Sequence, residues 1–288
     1  MTTESGIDER ILLFGKTSEG IILPVLYNLY GEITTWLSGF SNRLAITISP
    51  DNIDDTLTDY PVKIWLSESS GINTADLSSV FNKLGSDANR KKIAVTTSDG
   101  LTQCYVEIAN WDTENKQAEL HVRVPSVSSS ASTVIYLYYD ADHADNDSYV
   151  GDTASTPAKA VWDANFSAVY HMNDGADTSH IYDSTSNVNH GTKLAANEPL
   201  EVDGLKGKAQ EFDTTDDIIN IPDSSLWHLS TNDFCIEVSV NFKELQSNAT
   251  LIFLGQYQDT DNFANFYIYN PSNVPNLVIN SRSAAANV

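Results

Sequence analysis

The sequence predicts an all-β chain: two tandem antiparallel β-sandwich domains of jelly-roll type behind a short N-terminal β arm. Three observations carry that expectation. Short runs rich in Val, Ile, Thr and Tyr recur along the chain, as in RLAITIS, KKIAVTT and STVIYLYY. Several of them alternate apolar and polar residues with the period of two that a half-buried strand needs. Turn residues separate them, among them SDG at 98–100 and the Asp-, Asn- and Ser-rich stretch before Gly191.

Size and charge bound the function. A chain of 288 residues has room for two ordinary domains, and 41% hydrophobic with 10% aromatic residues suffices for real cores. The formal net charge is −23, from 39 acidic and 16 basic residues. A nucleic-acid binder needs a basic surface to displace counterions, so polyanionic partners, including anionic membranes, are disfavoured. Solubility is the first reading of the acidity and cation binding the second. Cys104 and Cys235 fall in different expected domains, so no disulfide framework is expected. MTTESGIDER lacks the basic region and apolar run of a signal peptide, and no stretch approaches the ~18–20 apolar residues of a membrane span. The expectation is a soluble protein that reaches any extracellular place without a cleaved signal peptide.

Residues 1–35 form the arm. ILLF, IILPVLY and EITTW are short apolar strands around the turns GKTSEG and NLYG. Three such strands cannot build a core of their own and need something to pack on. GKTSEGIILPVLYNLYGEI is similar to short N-terminal segments of phage virion proteins, which implies an attachment arm; the other reading is a hairpin packed on the next domain.

Residues 36–145 read as a compact β domain with strands at RLAITIS, YPVKIWLS, KKIAVTT, TQCYVEIANW, AELHVRVP and STVIYLYY. In AELHVRV, Leu120, Val122 and Val124 share one face, with His121 and Arg123 on the other, polar one. One helix interrupts the strands. Thr74 is its expected cap, Leu77, Val80, Phe81 and Leu84 its apolar stripe, and Gly85 its end. In order and spacing, WLSGFSNRLAITI, LTDYPVKIWL, SDGLTQCYVEIANWD, ELHVRVPSVSSSASTVIYLYY and AVWD resemble the DUF2341 family. That resemblance supplies architecture rather than chemistry, and implies a laminin G-like domain next in the chain.

Residues 146–160 read as a polar linker. The Asp-rich run just before it opens like a calcium loop, but counting from Asp140 the sixth and twelfth positions hold Asp145 and Gly151, where an EF-hand needs Gly and Glu. Residues 161–288 read as the second sandwich, with strands at AVYHM, KAQEFD, IINIP, FCIEVSVNF, TLIFLGQ, FANFYIYN and NLVIN. In FCIEVSVNF, Phe234, Ile236, Val238, Val240 and Phe242 hold one parity, the mark of a half-buried strand. AVYHMND, DSTSNVNHGTK, GKAQEFDTTDDIINIP and DFCIEVSVNF together resemble the concanavalin A-like laminin G domain. At about 130 residues this sandwich is short for its kind. The expectation is either a truncated chain or an open sheet edge completed by a neighbouring subunit.

No catalytic residues are expected. Retaining glycoside hydrolysis needs two carboxylates ~5–5.5 Å apart, and the nearest strand candidate, Glu201-Val202-Asp203-Gly204, lacks the second glutamate. The six histidines form no helical i, i+4 pair and no Cys-x-x-Cys or G-x-S-x-G occurs, so the histidines are read as structural. The laminin G-like resemblance implies Ca²⁺ at the sandwich rim, with Asp183, Asp213, Asp216 and Asp217 as ligands. Those aspartates also suit turns for their own sake. Trp227, Tyr257, Tyr267 and Tyr269 are the candidate sugar-stacking aromatics. The functional expectation is a non-catalytic structural or adhesion protein of a virion surface or extracellular space, decoration or fibre in type. It would oligomerise through the arm or an open sheet edge, and its second domain would contact glycan or a neighbouring protein. The alternative is a carbohydrate-targeting accessory module of a polysaccharide-degrading or cell-surface system.

Overall fold

A computed structural model describes residues 10–16, 22–28, 36–175, 177–194, 198–213, 215–227, 233–243, 249–259, 262–270 and 276–282. The chain divides into two compact units, Met1–Ile221 and Pro222–Val288. The fold is all-β, with strands in antiparallel sheets and only short helices.

The first unit begins with β1 (Arg10–Lys16) and β2 (Ile22–Asn28), an antiparallel hairpin in which Arg10 faces Asn28 and Lys16 faces Ile22. These are the first two strands expected of the arm. The third, at 32–36, lies outside the described residues except for Trp36.

A two-sheet body follows. Its elements are β3 (Asn42–Ile48), β4 (Leu57–Leu66), α1 (Ser78–Leu84), β5 (Ile93–Thr96), β6 (Gln103–Cys104), β7 (Val106–Asp112), β8 (Gln117–Val127), β9 (Thr133–Tyr139) and β10 (Val150–Asp152). One sheet runs β3-β9-β5-β6 and the other β10-β7-β8-β4; every pairing is antiparallel except β10 with β7. Ile64, Leu66, Ile93, Val95, Leu120, Val122, Ile135 and Leu137 join Val80, Phe81 and Leu84 of α1 in one buried core. Five of the six expected strands are present as single strands; the sixth, TQCYVEIANW, breaks at Tyr105 into β6 and β7, which belong to different sheets.

The helix ends as expected and starts differently. Gly85 is left-handed (φ 76°) and its N–H bonds the Phe81 carbonyl at 2.7 Å, a geometry that favours glycine. Thr74 is not the cap. It lies in a turn closed by the Ser70–Ala75 bridge, and Asp76 instead accepts the Ser78 N–H at 2.9 Å. The N-cap position is Leu77, which has no side-chain acceptor to offer.

Within 146–160, the expected linker, lie β10 and α2 (Thr156–Lys159), which bury Val150, Pro157 and Ala158. Beyond it come β11 (His180–Ile181), β12 (Gly191–Lys193), β13 (Leu200–Asp203), β14 (Lys208–Glu211) and β15 (Ile219–Asn220). They form a sheet ordered β11-β12-β15 and a β13-β14 hairpin. The expected AVYHM strand reduces to a single bridge between Tyr170 and Asp183.

In the second unit, β16 (Ala249–Asp259), β17 (Asn262–Asn270) and β18 (Asn276–Arg282) make an antiparallel meander. FCIEVSVNF belongs to no sheet among the described residues. Residues 233–243 carry no regular structure, and Phe234, Ile236, Val238, Val240 and Phe242 are 36–52% exposed. Alternation supplied the strand pattern, but among the described residues no strand pairs with it.

Candidate functional site

The inner and outer faces of β8 are both buried. Leu120, Val122 and Val124 point into the core at 0–1% exposure, and at the other parity Glu119 and His121 are only 6% and 8% exposed. Register sets His121 opposite Glu107 of β7 on one side and Lys63 of β4 on the other. Strand alternation thus collects two carboxylates, an imidazole and an ammonium on the face away from the core.

The chain after α2 covers that face. The Arg123 guanidinium donates to the Ala160 carbonyl at 3.1 Å and Asn173 Nδ2 to the Ala109 carbonyl at 2.8 Å. Trp162 Nε1 and Ser184 Oγ donate to the two oxygens of Glu107, at 2.7 and 2.5 Å. His171 Nε2 stands 3.1 Å from Glu107 Oε2, yet that nitrogen is buried and makes no aligned hydrogen bond. The His171 ring lies against His121, centroids 4.7 Å apart, with Trp162 5.1 Å from His121.

On the second carboxylate, Lys63 Nζ is 2.5 Å and His121 Nε2 3.1 Å from Glu119 Oε1. The hairpin joining β13 to β14 closes over it. Gly207 is left-handed (φ 70°), and a side chain there would meet Glu119 Oε2 at 2.8 Å, so the position needs glycine twice over.

Burial alone would raise both carboxyls. Around Glu107 the charge and proximity of His171, then Ser184 and Trp162, outweigh burial and hold the group below its usual range. Around Glu119 the His121 hydrogen bond and then Lys63 do the same, to about 2. Burial pushes the His121 imidazole down, toward its neutral form.

This cluster corrects the reading of the histidines as scattered. His121 and His171 are distant in sequence and adjacent in space. One atom each from Glu119, His121 and His171 lie within 4.8 Å of one another. Sequence put His121 with Arg123 on the polar face of a strand and did not single out Glu119, which shares that parity. It carried no signal that 160–184 would cover them.

The four aspartates expected to share a Ca²⁺ do not form one set. The carboxylates of Asp213, Asp216 and Asp217 come within 4.8 Å of one another, and Asp183 is not among them. Asp183 is fully buried and already engaged. Oδ1 accepts the N–H groups of Val169 and Thr185, and Oδ2 accepts the Thr185 hydroxyl and the Asn189 N–H, at 2.9–3.1 Å. It is the organiser of the 182–191 loop. The other three sit on an exposed turn that they also bond: Asp217 accepts the Asp213 N–H at 2.6 Å and Asp213 the Thr215 N–H at 2.8 Å. Their oxygen donors suit a hard cation in kind.

Of the four aromatics, Trp227 is half-buried, its indole N–H donating to the Pro222 carbonyl at 3.1 Å. Tyr257 pairs with Phe263, Tyr267 with Phe253 and Val278, and Tyr269 with Thr250 and Asn276, so the register puts the three tyrosines at positions of one parity. No family model, no curated protein and no solved structure matches the chain.

Proposed function

We infer that the chain is a non-catalytic structural and adhesive module of a virion surface or other extracellular assembly, joined to a second copy of itself through residues 233–243. The supporting observation is the exposed apolar parity of that extended segment, with Ile236, Val238 and Val240 44–51% exposed. An extended apolar segment with no ladder is a template for strand addition.

The segment is self-complementary. Antiparallel pairing centred on Val238 sets Asp233 opposite Lys243, Phe234 opposite Phe242 and Ile236 opposite Val240. Glu237 then faces Ser239 instead of another acid. The resemblances to DUF2341 and laminin G-like domains support the same extracellular setting.

Light scattering over a concentration series tests the reading. A dimer at moderate salt that becomes a monomer in Val238→Asp supports it; a monomer at every concentration counts against it. The one-parity placement of Tyr257, Tyr267 and Tyr269 favours glycan as a further contact of the second unit. Hits on a glycan array that weaken in Tyr267→Ala are expected from that contact.

A further inference from the structure

The covered face of β8 holds more negative charge than its neighbours balance. Glu107 is fully buried and Glu119 nearly so, and among the described residues Lys63 is the only lysine or arginine in ion-pair contact with either. Taking a carboxylate out of water without a counter-charge is costly, so the balance falls to a proton on an imidazole or to a bound cation.

The geometry of His171 favours the cation. Its side chain is 9% exposed and its Nε2 has no hydrogen-bond partner, although Glu107 Oε2 is only 3.1 Å away. A proton shared by that pair would lie along the line between them. The contact has the distance of a hydrogen bond without the alignment, while one His171 nitrogen approaches the donor atoms of Glu119 and His121 within 4.8 Å.

We propose that Glu119, His121 and His171 bind a divalent transition metal of the Zn²⁺ type, with Glu107 beside them as the compensating charge. Two imidazoles and one carboxylate are a borderline donor set that suits Zn²⁺ and its neighbours, not the all-oxygen set of Ca²⁺ or Mg²⁺. Bonds of about 2.0–2.1 Å place tetrahedral donors about 3.3 Å apart. His121 Nε2 and Glu119 Oε1 are already at 3.1 Å, and the remaining separations must close by less than about 1.5 Å. Glu119 and Glu107 together balance the two positive charges. Lys63, with its side chain 46% exposed, gives up Glu119 Oε1 and turns to water. Bound metal would pin the segment carrying His171 to β8. The site is independent of the self-association proposed above.

The test uses the full chain, stripped with a chelator and titrated with Zn²⁺ against a chromophoric competitor. A single tight site and a rise in melting temperature are expected, with Ca²⁺ in excess unable to compete. Zn²⁺ X-ray absorption should show imidazole scattering from two rings. His171→Gln and His121→Gln should lose the tight site, Glu107→Gln should weaken it by about 10–100-fold, and Asp216→Asn should leave it intact. No tight binding to the wild-type chain overturns the proposal, and leaves a proton as the balancing charge. Binding that survives His171→Gln, or a wild-type absorption spectrum without imidazole, overturns it equally. That spectrum decides the matter even where a histidine variant fails to fold.

Discussion

Residues 118–124 and 234–242 carry the same message in sequence, an alternation of apolar and polar residues, and reach opposite ends. The first is the middle of β8, paired on both sides, with Leu120, Val122 and Val124 in the core and Glu119 and His121 covered as well. The second lies in no sheet and exposes its apolar parity. Period-two alternation states which residues would share a face. Whether a strand forms depends on a ladder from at least one neighbour and a surface to cover it, and those come from elsewhere in the chain. Where they are supplied, even the polar face becomes interior. Where they are not, the apolar face stays exposed.

The largest effect should come from breaking the polar face of the first region. Glu107→Ala strips the acceptors from Trp162 Nε1 and Ser184 Oγ. Denaturant unfolding in metal-free buffer should show a loss of about 3–5 kcal/mol, the scale for breaking a buried charge network. A loss below about 1 kcal/mol would mean that the 160–184 segment does not cover β8 in solution. On the inner face, Leu120→Ala should cost about 2–5 kcal/mol through lost burial and a residual cavity. The same unfolding curves give the value. In the second region the corresponding change should do little to the folded chain: Val238→Asp should stay within about 0.5 kcal/mol, because its side chain is already in water.

The two free thiols sharpen the contrast without altering stability. Burial, and then the charge of Asp99, push the Cys104 thiol up to about 12, whereas Cys235 is exposed. At pH 8 a thiol reagent should modify Cys235 promptly and Cys104 only after denaturation, since the thiolate is the reactive form. Prompt labelling of both would place β6 outside the core.

Much of the first body was legible because its signals are local. Val, Ile and Tyr runs, the Leu77-Val80-Phe81-Leu84 stripe and Gly85 gave five strands and a helix within a few residues of their true bounds, while the break at Tyr105 that sends β6 and β7 to different sheets left no mark in the pattern. The Asp99 turn was equally plain: its carboxylate accepts the N–H groups of Leu101 and Thr102, as a short acidic side chain before a glycine does. The candidate site was legible by halves. Glu119 and His121 could be put on one face of a strand, but their meeting with His171 and Glu107 depends on how residues 160–184 fold back, and no local pattern encodes that return. Asp183 misled for a related reason. Asp serves turns and cations with the same oxygens, and only the position of Val169 and Asn189 shows that its oxygens are already engaged.

Amide hydrogen exchange across a concentration series tests the contrast most directly. The amides of 118–124 should exchange only with global unfolding at every concentration. Those of 235–241 should exchange rapidly in dilute protein and slow down as concentration rises and copies associate. Equal and concentration-independent protection of the two segments would contradict the contrast, because 235–241 would then be a paired strand of the isolated chain.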